Sequence, residues 1–314
     1  MVIRRVVLPL AQWGISLGAL GYALAGVDMQ ALAAALRGYA PVAMLLVFAV
    51  ATLDYACMGL RLRWLLPQGL SYRRSMAAVL LCVGYNSILP AKAGDALKIV
   101  YLTKKTGESL LSIGAVIFWE RLLDVLALLC ASLLAYTLAG AEGRLVLPVL
   151  CCLCGTCLFW ACRRWSAWFH RWYARIPFAK AGGWLSELHS RVIDDASLGM
   201  VTRGFAISLV IWTCYFASFA VALLYVAALP LTLPQVLTVF AVTCLGMAVP
   251  SSPGGLGVFE GAMVLSLSWF GVERSAALGI ALFIHAVHFL PLAAIAVSLN
   301  SCRGFWQAES PSSQ

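Results

Sequence analysis

Long, nearly uncharged apolar runs recur along the chain, and they restrict its fold more than any other feature. A run of about 20 residues matches the ~30 Å hydrocarbon core of a bilayer, and backbone in lipid must satisfy its own hydrogen bonds. We therefore predict an all-α polytopic membrane protein with about six full transmembrane helices. They lie in residues 6–25, 41–60, 110–138, 145–162, 204–229 and 276–299.

Composition supports this class and argues against two others. Hydrophobic residues make up 62% of the 314 residues and charged residues 11%, whereas soluble domains carry about 25% charged residues. The net charge of +9 does not indicate nucleic-acid binding, because the basic residues lie in short loops between apolar runs. Such loops set membrane orientation and contact lipid headgroups.

Two apolar segments are too short to span and are interrupted by Pro and Gly. Residues 76–89 stop at Pro90, and a second short segment follows at 96–102. Residues 234–249 stop at Pro250, and 258–270 follow. Because neither half spans alone, we predict two re-entrant helical hairpins, at 76–105 and 234–270.

The basic residues give this topology one favoured orientation. With both hairpins re-entrant and both termini cytoplasmic, 16 Lys and Arg lie inside and 3 outside, as the positive-inside rule requires. The hairpins then open from opposite sides of the bacterial inner membrane. Paired discontinuous segments of this kind are typical of inverted repeats with a site near the midplane.

The chain is interpreted as a single transmembrane domain over residues 1–314. Its first half, 40–139, contains the first hairpin, and its second half, 204–300, contains the second. Between them, residues 163–203 interleave Arg and Lys with four Trp. This pattern predicts interfacial helices in the headgroup layer.

The first break contains residues suited to an anion. A proline ends one half-helix, and small residues let the backbone turn. A new helix starts near Gly94 with unpaired N–H groups that attract phosphate. The alternative is a cytoplasmic loop with solvated lysines. The candidate substrate-binding residues here are Asn86, Pro90, Lys92, Gly94, Asp95 and Lys98.

The second break has three glycines in four positions, which permit positive φ and close backbone approach. A carboxylate about one turn into the next helix requires neutralisation at membrane depth. The alternative is an extracellular turn. The candidates here are Ser251, Ser252, Gly254, Gly255, Gly257 and Glu260.

A third group, Glu120, Arg121 and Asp124, lies inside a long apolar run. These charges need partners. Arg121 is expected to bind a lipid phosphate, or else to form a structural pair with Asp124 at i, i+3. Asp54 is interpreted as a partner for Arg121 or as a protonation site.

Other polar residues are given structural roles. Arg61 and Arg63 are expected to anchor the end of their span at the interface. His285 and His288 are expected to form interhelical hydrogen bonds or to handle protons, and a structural role as buried polar contacts is favoured. Cys151, Cys152, Cys154 and Cys157 lie in one apolar run without a second ligand cluster, so no metal site and no cofactor are predicted.

Three motifs together resemble the lysylphosphatidylglycerol synthase transmembrane-region family. They are residues 86–98, the sequence Trp-Glu-Arg-Leu-Leu-Asp at 119–124, and the Pro-Gly-Gly-x-Gly-x-x-Glu order at 253–260. The resemblance covers approximately residues 10–300 and implies a membrane-embedded lipid translocase. Family members that synthesise aminoacyl lipids carry a soluble transferase domain. Only about fourteen polar residues follow the last span here, so we expect no enzymatic activity.

The expected function is therefore a lipid flippase whose substrate has an anionic or polar headgroup. Phospholipid, polyprenyl-phosphate-linked and hopanoid-type lipids are all open. Lys92, Lys98 and Arg121 would receive the headgroup, while Asp95, Glu120 and Glu260 would balance or couple charge. A non-transporting accessory subunit and, less favoured, an enzyme acting on lipid-linked substrates are the alternatives. The oligomeric state, including a homodimer, is also open.

Overall fold

The computed structural model describes residues 2–66, 70–89, 92–138, 159–176, 178–249 and 251–301, and this part of the chain is helical without any strand. The chain is an all-α polytopic membrane protein, as predicted. The principal helices are α1 (Val2–Leu24), α2 (Met29–Gly38), α3 (Pro41–Leu65), α4 (Tyr72–Ile88), α5 (Ala93–Thr106), α6 (Leu110–Leu138), α7 (Ser166–Tyr173), α8 (Ala179–His189), α9 (Leu198–Ala220), α10 (Leu233–Gly246), α11 (Val258–Ser268) and α12 (Arg274–Ser301).

Fewer helices meet the requirements of a full span than the six predicted. Three described helices are long and apolar enough, at 41–65, 198–226 and 274–301. The pair α1 and α2, which meet at 92°, adds a fourth if it counts as one span. Helix α6 has 29 residues but carries three charged residues in its middle, and most of the predicted span 145–162 lies outside the described residues.

The first broken segment forms a helical hairpin, as predicted. Helices α4 and α5 pack against each other, and Gly94 lies against the backbone of Cys82 and Asn86 on α4. Ala78 on α4 shares a buried cluster with Tyr101 and Leu102 on α5. Thus the chain folds back at the break instead of crossing once.

The second broken segment forms a hairpin of the same kind. Helices α10 and α11 pack together, with Gly246 against Ala262 and Val258. Capping of α10 is local, because Gln235 accepts a hydrogen bond from the backbone N–H of Thr232 at 2.8 Å. The opposite orientation of the two hairpins in the membrane stays a prediction.

Each hairpin has its own apolar core. The first packs with α3 and α6 around Leu62, Leu81 and Leu123. The second packs with α9 and α12 around Phe219, Phe240 and Ile284. Helix α12 joins the two halves because it packs against α4 as well as α11, and Gly84 lets α4 approach the backbone of Leu292.

The first prediction concerns this close hairpin packing. A Cβ on Gly94 would lie 2.1 Å from the carbonyl oxygen of Cys82, whereas a Cβ on Gly114 in α6 would meet nothing within 4 Å. We expect Gly94→Ala to destabilise the protein by about 1–3 kcal/mol through overpacking. Gly114→Ala should be neutral or slightly stabilising, because Ala favours helix.

Thermal unfolding of both variants in the same detergent measures the difference. Equal unfolding midpoints for Gly94→Ala and Gly114→Ala would contradict the packing described for the first hairpin.

Candidate functional site

The breaks of the two hairpins meet. Gly254 in the second break lies against the backbone of Ser87, at the end of α4, and near the ring of His285. A cavity of about 410 Å³ lies at this junction, a size typical of small-molecule sites. It is lined by Gln12, Asn86, Leu89, Lys92, Arg121, Met247, Ala248, Val249, Ser251, Ser252, Gly254, Gly255 and Phe289.

At the first break, the residue before α5 lines the cavity, and no described side chain caps the helix start. Lys92 precedes the helix in the left-handed conformation, with φ 54°. Lys92 is exposed, and none of the ion pairs found among the described residues includes it. Backbone N–H groups at an uncapped helix start carry partial positive charge. The first break therefore presents one full and one partial positive charge.

Arg121 also lines the cavity but is partly neutralised. Its guanidinium donates a 2.8 Å hydrogen bond to Asp95 in the first turn of α5 and lies 3.8 Å from Asp124. The carboxylate of Asp95 also accepts a hydrogen bond from the Cys82 thiol, at 3.0 Å. About half of the Arg121 side chain remains exposed, so donors are left for a further acceptor.

Lys98, Glu120 and Asp124 were predicted as site residues, but they are not among the residues that line the cavity, and their ionic groups are paired. The Lys98 ammonium lies 2.6 Å from Glu120, and both side chains are 3% exposed. Arg61 binds both oxygens of Asp124, at 2.5 and 3.1 Å. Trp212 donates to the same carboxylate at 3.3 Å.

Arg61 is another residue whose position differs from the one expected from the sequence. We expected it at the interface, whereas it is buried and contacts Asp124, Ser208 and, at 3.9 Å, Glu120. Its partners lie 59 or more positions away in sequence, so spacing along one helix could not reveal them. One signal was available in the sequence. Arg61 lies in an apolar segment, and the charged residues in the apolar run of α6 needed partners of opposite charge.

These contacts define an ionic network with balanced charge, in which the side chains of Arg61, Lys98 and Glu120 are buried. It contains three cations, Arg61, Lys98 and Arg121, and three carboxylates, Asp95, Glu120 and Asp124. Because the network is neutral by itself, Lys92 is a positive charge in excess beside the cavity. No acidic side chain lines the cavity among the described residues.

The second break is closed by its own carboxylate. Glu260 is buried and accepts a 2.7 Å hydrogen bond from the backbone N–H of Gly257, at the start of α11. Its other oxygen lies 2.5 Å from Nδ1 of His285. The electropositive start of α11 is thus capped by a carboxylate of the same helix, whereas no described side chain caps the start of α5.

The glycines of the second break have the backbone role predicted for them. Gly254, Gly255 and Gly257 all have positive φ, between 65° and 85°. Gly257 also lies so close to α1 that a Cβ would be 2.2 Å from the carbonyl oxygen of Ser16. Ser16 in turn accepts a hydrogen bond from the N–H of Ser252 at 2.8 Å.

The structure thus sorts the candidate residues into distinct positions. Asn86, Lys92, Arg121, Ser251, Ser252, Gly254 and Gly255 line the cavity, while Gly94, Asp95 and Gly257 shape its walls through packing and pairing. Gln12, Met247 and Phe289 also line it and were missed, because neutral residues in apolar runs give no signal. Pro90 lies outside the described residues.

Two further predictions concern buried polar residues. His285 and His288 form interhelical hydrogen bonds, as expected, the latter with Ser218 at 3.0 Å. Asp54 is buried, and its Oδ1 has no hydrogen-bond partner in the described structure. Arg121 pairs with Asp95 instead, and the role of Asp54 as a protonation site stays a prediction. The Cys151–Cys157 cluster lies outside the described residues.

The fold and the site define a polytopic helical membrane protein with two helical hairpins whose breaks meet at a cavity lined by both polar and apolar residues. The chain belongs to the family described as "Lysylphosphatidylglycerol synthase TM region", whose family model matches residues 10–296. That family is the flippase-like membrane portion and not the transferase domain. A comparison with curated proteins gives no match.

The second prediction tests the buried network. Lys98→Met leaves the Glu120 carboxylate without its 2.6 Å partner, and breaking a buried pair costs about 3–5 kcal/mol. We expect a large fall in the thermal unfolding midpoint, partly recovered in the double variant Lys98→Met/Glu120→Leu, where no buried charge is left unpaired.

The matched control is Arg191→Gln, which breaks the exposed pair between Arg191 and Asp195. An exposed pair contributes about 0–1 kcal/mol. If Lys98→Met unfolds at the same temperature as this control, the network does not stabilise the protein.

Proposed function

We propose that the protein is a lipid flippase, and that the cavity between the hairpin breaks receives an anionic or polar headgroup during transfer across the membrane. The observation that carries this proposal is the excess positive charge at the first break. Lys92 and the uncapped start of α5 face a cavity whose described lining has no carboxylate. A lipid phosphate is the group that such a site would neutralise.

The headgroup's contacts follow from the geometry of the lining. The Lys92 ammonium supplies a mobile charge, and Arg121 supplies the donors that Asp95 and Asp124 leave free. Asn86, Ser251 and Ser252 add neutral polar groups. Hydrogen bonds to charged groups contribute about 1.5–3 kcal/mol each, and together they would offset the loss of headgroup hydration at membrane depth.

The two hairpins suggest how the headgroup would reach either side. Each break separates two half-helices, and residues of both breaks line the cavity. Non-helical backbone at membrane depth is tolerated at such a position. Acyl chains would remain in the lipid while the headgroup crosses between the hairpins. In the proposed orientation the first hairpin opens to the cytoplasm of a bacterial inner membrane and the second to the opposite side, as in an inverted repeat.

Glu260 has a positioning role in this proposal instead of contacting the substrate. It holds the start of α11 and orients His285, whose ring lies near Gly254 at the cavity. The headgroup is therefore expected to bind asymmetrically, closer to the first break than to the second.

The third prediction is a transport experiment. The protein is reconstituted in liposomes with fluorescent phosphatidylglycerol, phosphatidylcholine or a labelled polyprenyl phosphate, and transfer is followed by quenching of the outer leaflet. Loss of one charged hydrogen bond of about 1.5 kcal/mol corresponds to about tenfold. We expect Lys92→Gln to slow transfer of the preferred lipid by about that factor, and Lys92→Arg to retain most of it.

The matched control is Lys104→Gln, which removes the same charge at the other end of α5. Equal transfer by Lys92→Gln, Lys104→Gln and wild type would remove the headgroup role of Lys92. Absence of transfer of all three lipids by the wild type would contradict the flippase proposal, and conversion of a lipid to a new chemical species would favour an enzyme.

A further inference from the structure

A second polar cluster lies outside the hairpins, where α7 meets α8. Nε2 of His170 lies 2.9 Å from Oδ2 of Asp194, and Nε2 of His189 lies 3.9 Å from Oδ1 of the same carboxylate. The three side chains place one ligand-type atom each within 4.8 Å of the others. Neither the lipid site nor the buried ionic network includes any of them.

One atom of this cluster lacks a partner. Nε2 of His189 is buried and forms no hydrogen bond in the described structure, and the residue is only 8% exposed. A buried polar atom without a hydrogen bond destabilises the folded state. A bound ligand that accepts the lone pair of this nitrogen would remove that cost.

Both imidazoles are oriented through their other nitrogen. Nδ1 of His170 lies 2.6 Å from Oγ of Ser186, and Nδ1 of His189 lies 3.3 Å from Oη of Tyr173. A hydroxyl that accepts the Nδ1 proton of His189 leaves its Nε2 with a free lone pair, whereas Nε2 of His170 donates to the Asp194 carboxylate at 2.9 Å and would release that proton on metal binding. Metal-binding histidines are held in this way by partners at the second nitrogen.

The carboxylate of Asp194 lies on a π-helical turn of the backbone. Helix α8 continues into a π-helical turn at Ser190–Asp194, a form that occurs often at functional sites. Arg163 donates hydrogen bonds to the carbonyl oxygens of Ile193, at 3.0 Å, and of Ala196. These bonds hold the turn that directs Asp194 towards the two histidines.

We propose that His170, His189 and Asp194 form a binding site for a divalent transition-metal ion, with Zn²⁺ as the best match. Two imidazole nitrogens and one carboxylate oxygen are typical Zn²⁺ ligands, and the fourth position is left for water. Tetrahedral ligand atoms lie ~3.3 Å apart at Zn²⁺ bond lengths, so the cluster needs only small side-chain movements. Mg²⁺ and Ca²⁺ fit less well because they prefer oxygen ligands.

Such an ion would add a link between two short helices that already contact each other through His170 and Ser186 and through Tyr173 and His189. His170 lies on α7, while His189 and Asp194 lie at the end of α8 and in its π turn. Metal bound only by the folded state stabilises it. This site is independent of the proposed lipid site, so either can fail without the other.

The fourth prediction is measured on the purified full-length chain in detergent, with any affinity tag removed and bound metal stripped by a chelator. Titration with Zn²⁺ against a chromophoric competitor should show one ion per chain. Asp194→Asn should weaken binding at least tenfold, and His189→Ala at least as much. The control Asp195→Asn removes the same charge one residue away, where the side chain is exposed, and should bind within twofold of wild type.

The cysteines are the competing ligands, and a second measurement separates them. Co²⁺ bound to nitrogen and oxygen ligands shows visible d–d bands without thiolate charge transfer. The quadruple change of Cys151, Cys152, Cys154 and Cys157 to Ser should bind like wild type. The Co²⁺ spectrum is measured on the wild type, so this test does not depend on whether a variant folds.

Three outcomes would overturn the metal site. They are absence of stoichiometric Zn²⁺ uptake by the wild type, equal loss in Asp194→Asn and Asp195→Asn, and a thiolate charge-transfer band in the Co²⁺ spectrum.

Discussion

Helix α6 places three charged residues in the middle of an apolar helix, and the arrangement of its neighbours follows from the need to pair them. Removing each charge from water costs several kcal/mol unless partners lie in good geometry. Those partners come from α3, which supplies Arg61, and from α5, which supplies Lys98 and Asp95. The pairing thus ties the first hairpin to α6 and α3.

This constraint also explains why the two breaks differ chemically. The first hairpin contributes its charges to the network at Asp95 and Lys98, and its helix start remains without a side-chain cap. The second hairpin has one carboxylate, Glu260, which accepts a hydrogen bond from the start of its own helix and contacts His285. The two hairpins therefore meet at one cavity but differ at their breaks. The start of α5 has no side-chain cap, whereas the start of α11 is capped by Glu260.

Close backbone contacts also position the cavity walls. Gly94 places α5 directly against α4, and Gly257 places the second break against α1. Ser16 and Ser252 add a hydrogen bond at that second contact. Small residues at these crossings are the usual means by which helices approach closely in membranes, where apolar packing alone gives little preference.

The breaks were predictable from the sequence because proline and glycine act on the local backbone. Residues 76–105 and 234–270 were identified as hairpins, and the starts of α5 and α11 fall near the predicted positions. The need of Glu120, Arg121 and Asp124 for partners was equally clear, since charge in an apolar run is visible without coordinates. Membrane class and helical fold followed from run length and hydrogen-bond satisfaction alone.

Which groups pair with which was decided only by the tertiary structure. Arg61 looked like an interfacial anchor and Lys98 like a headgroup ligand, yet both are buried in ion pairs. Glu260 looked unneutralised until the fold placed His285 beside it. His170, His189 and Asp194 gave no sequence signal because their separations, up to 24 positions, match no metal motif. The physical reason is common to all four cases: backbone propensity depends on neighbours in sequence, whereas Coulomb and hydrogen-bond energies depend on distances in space.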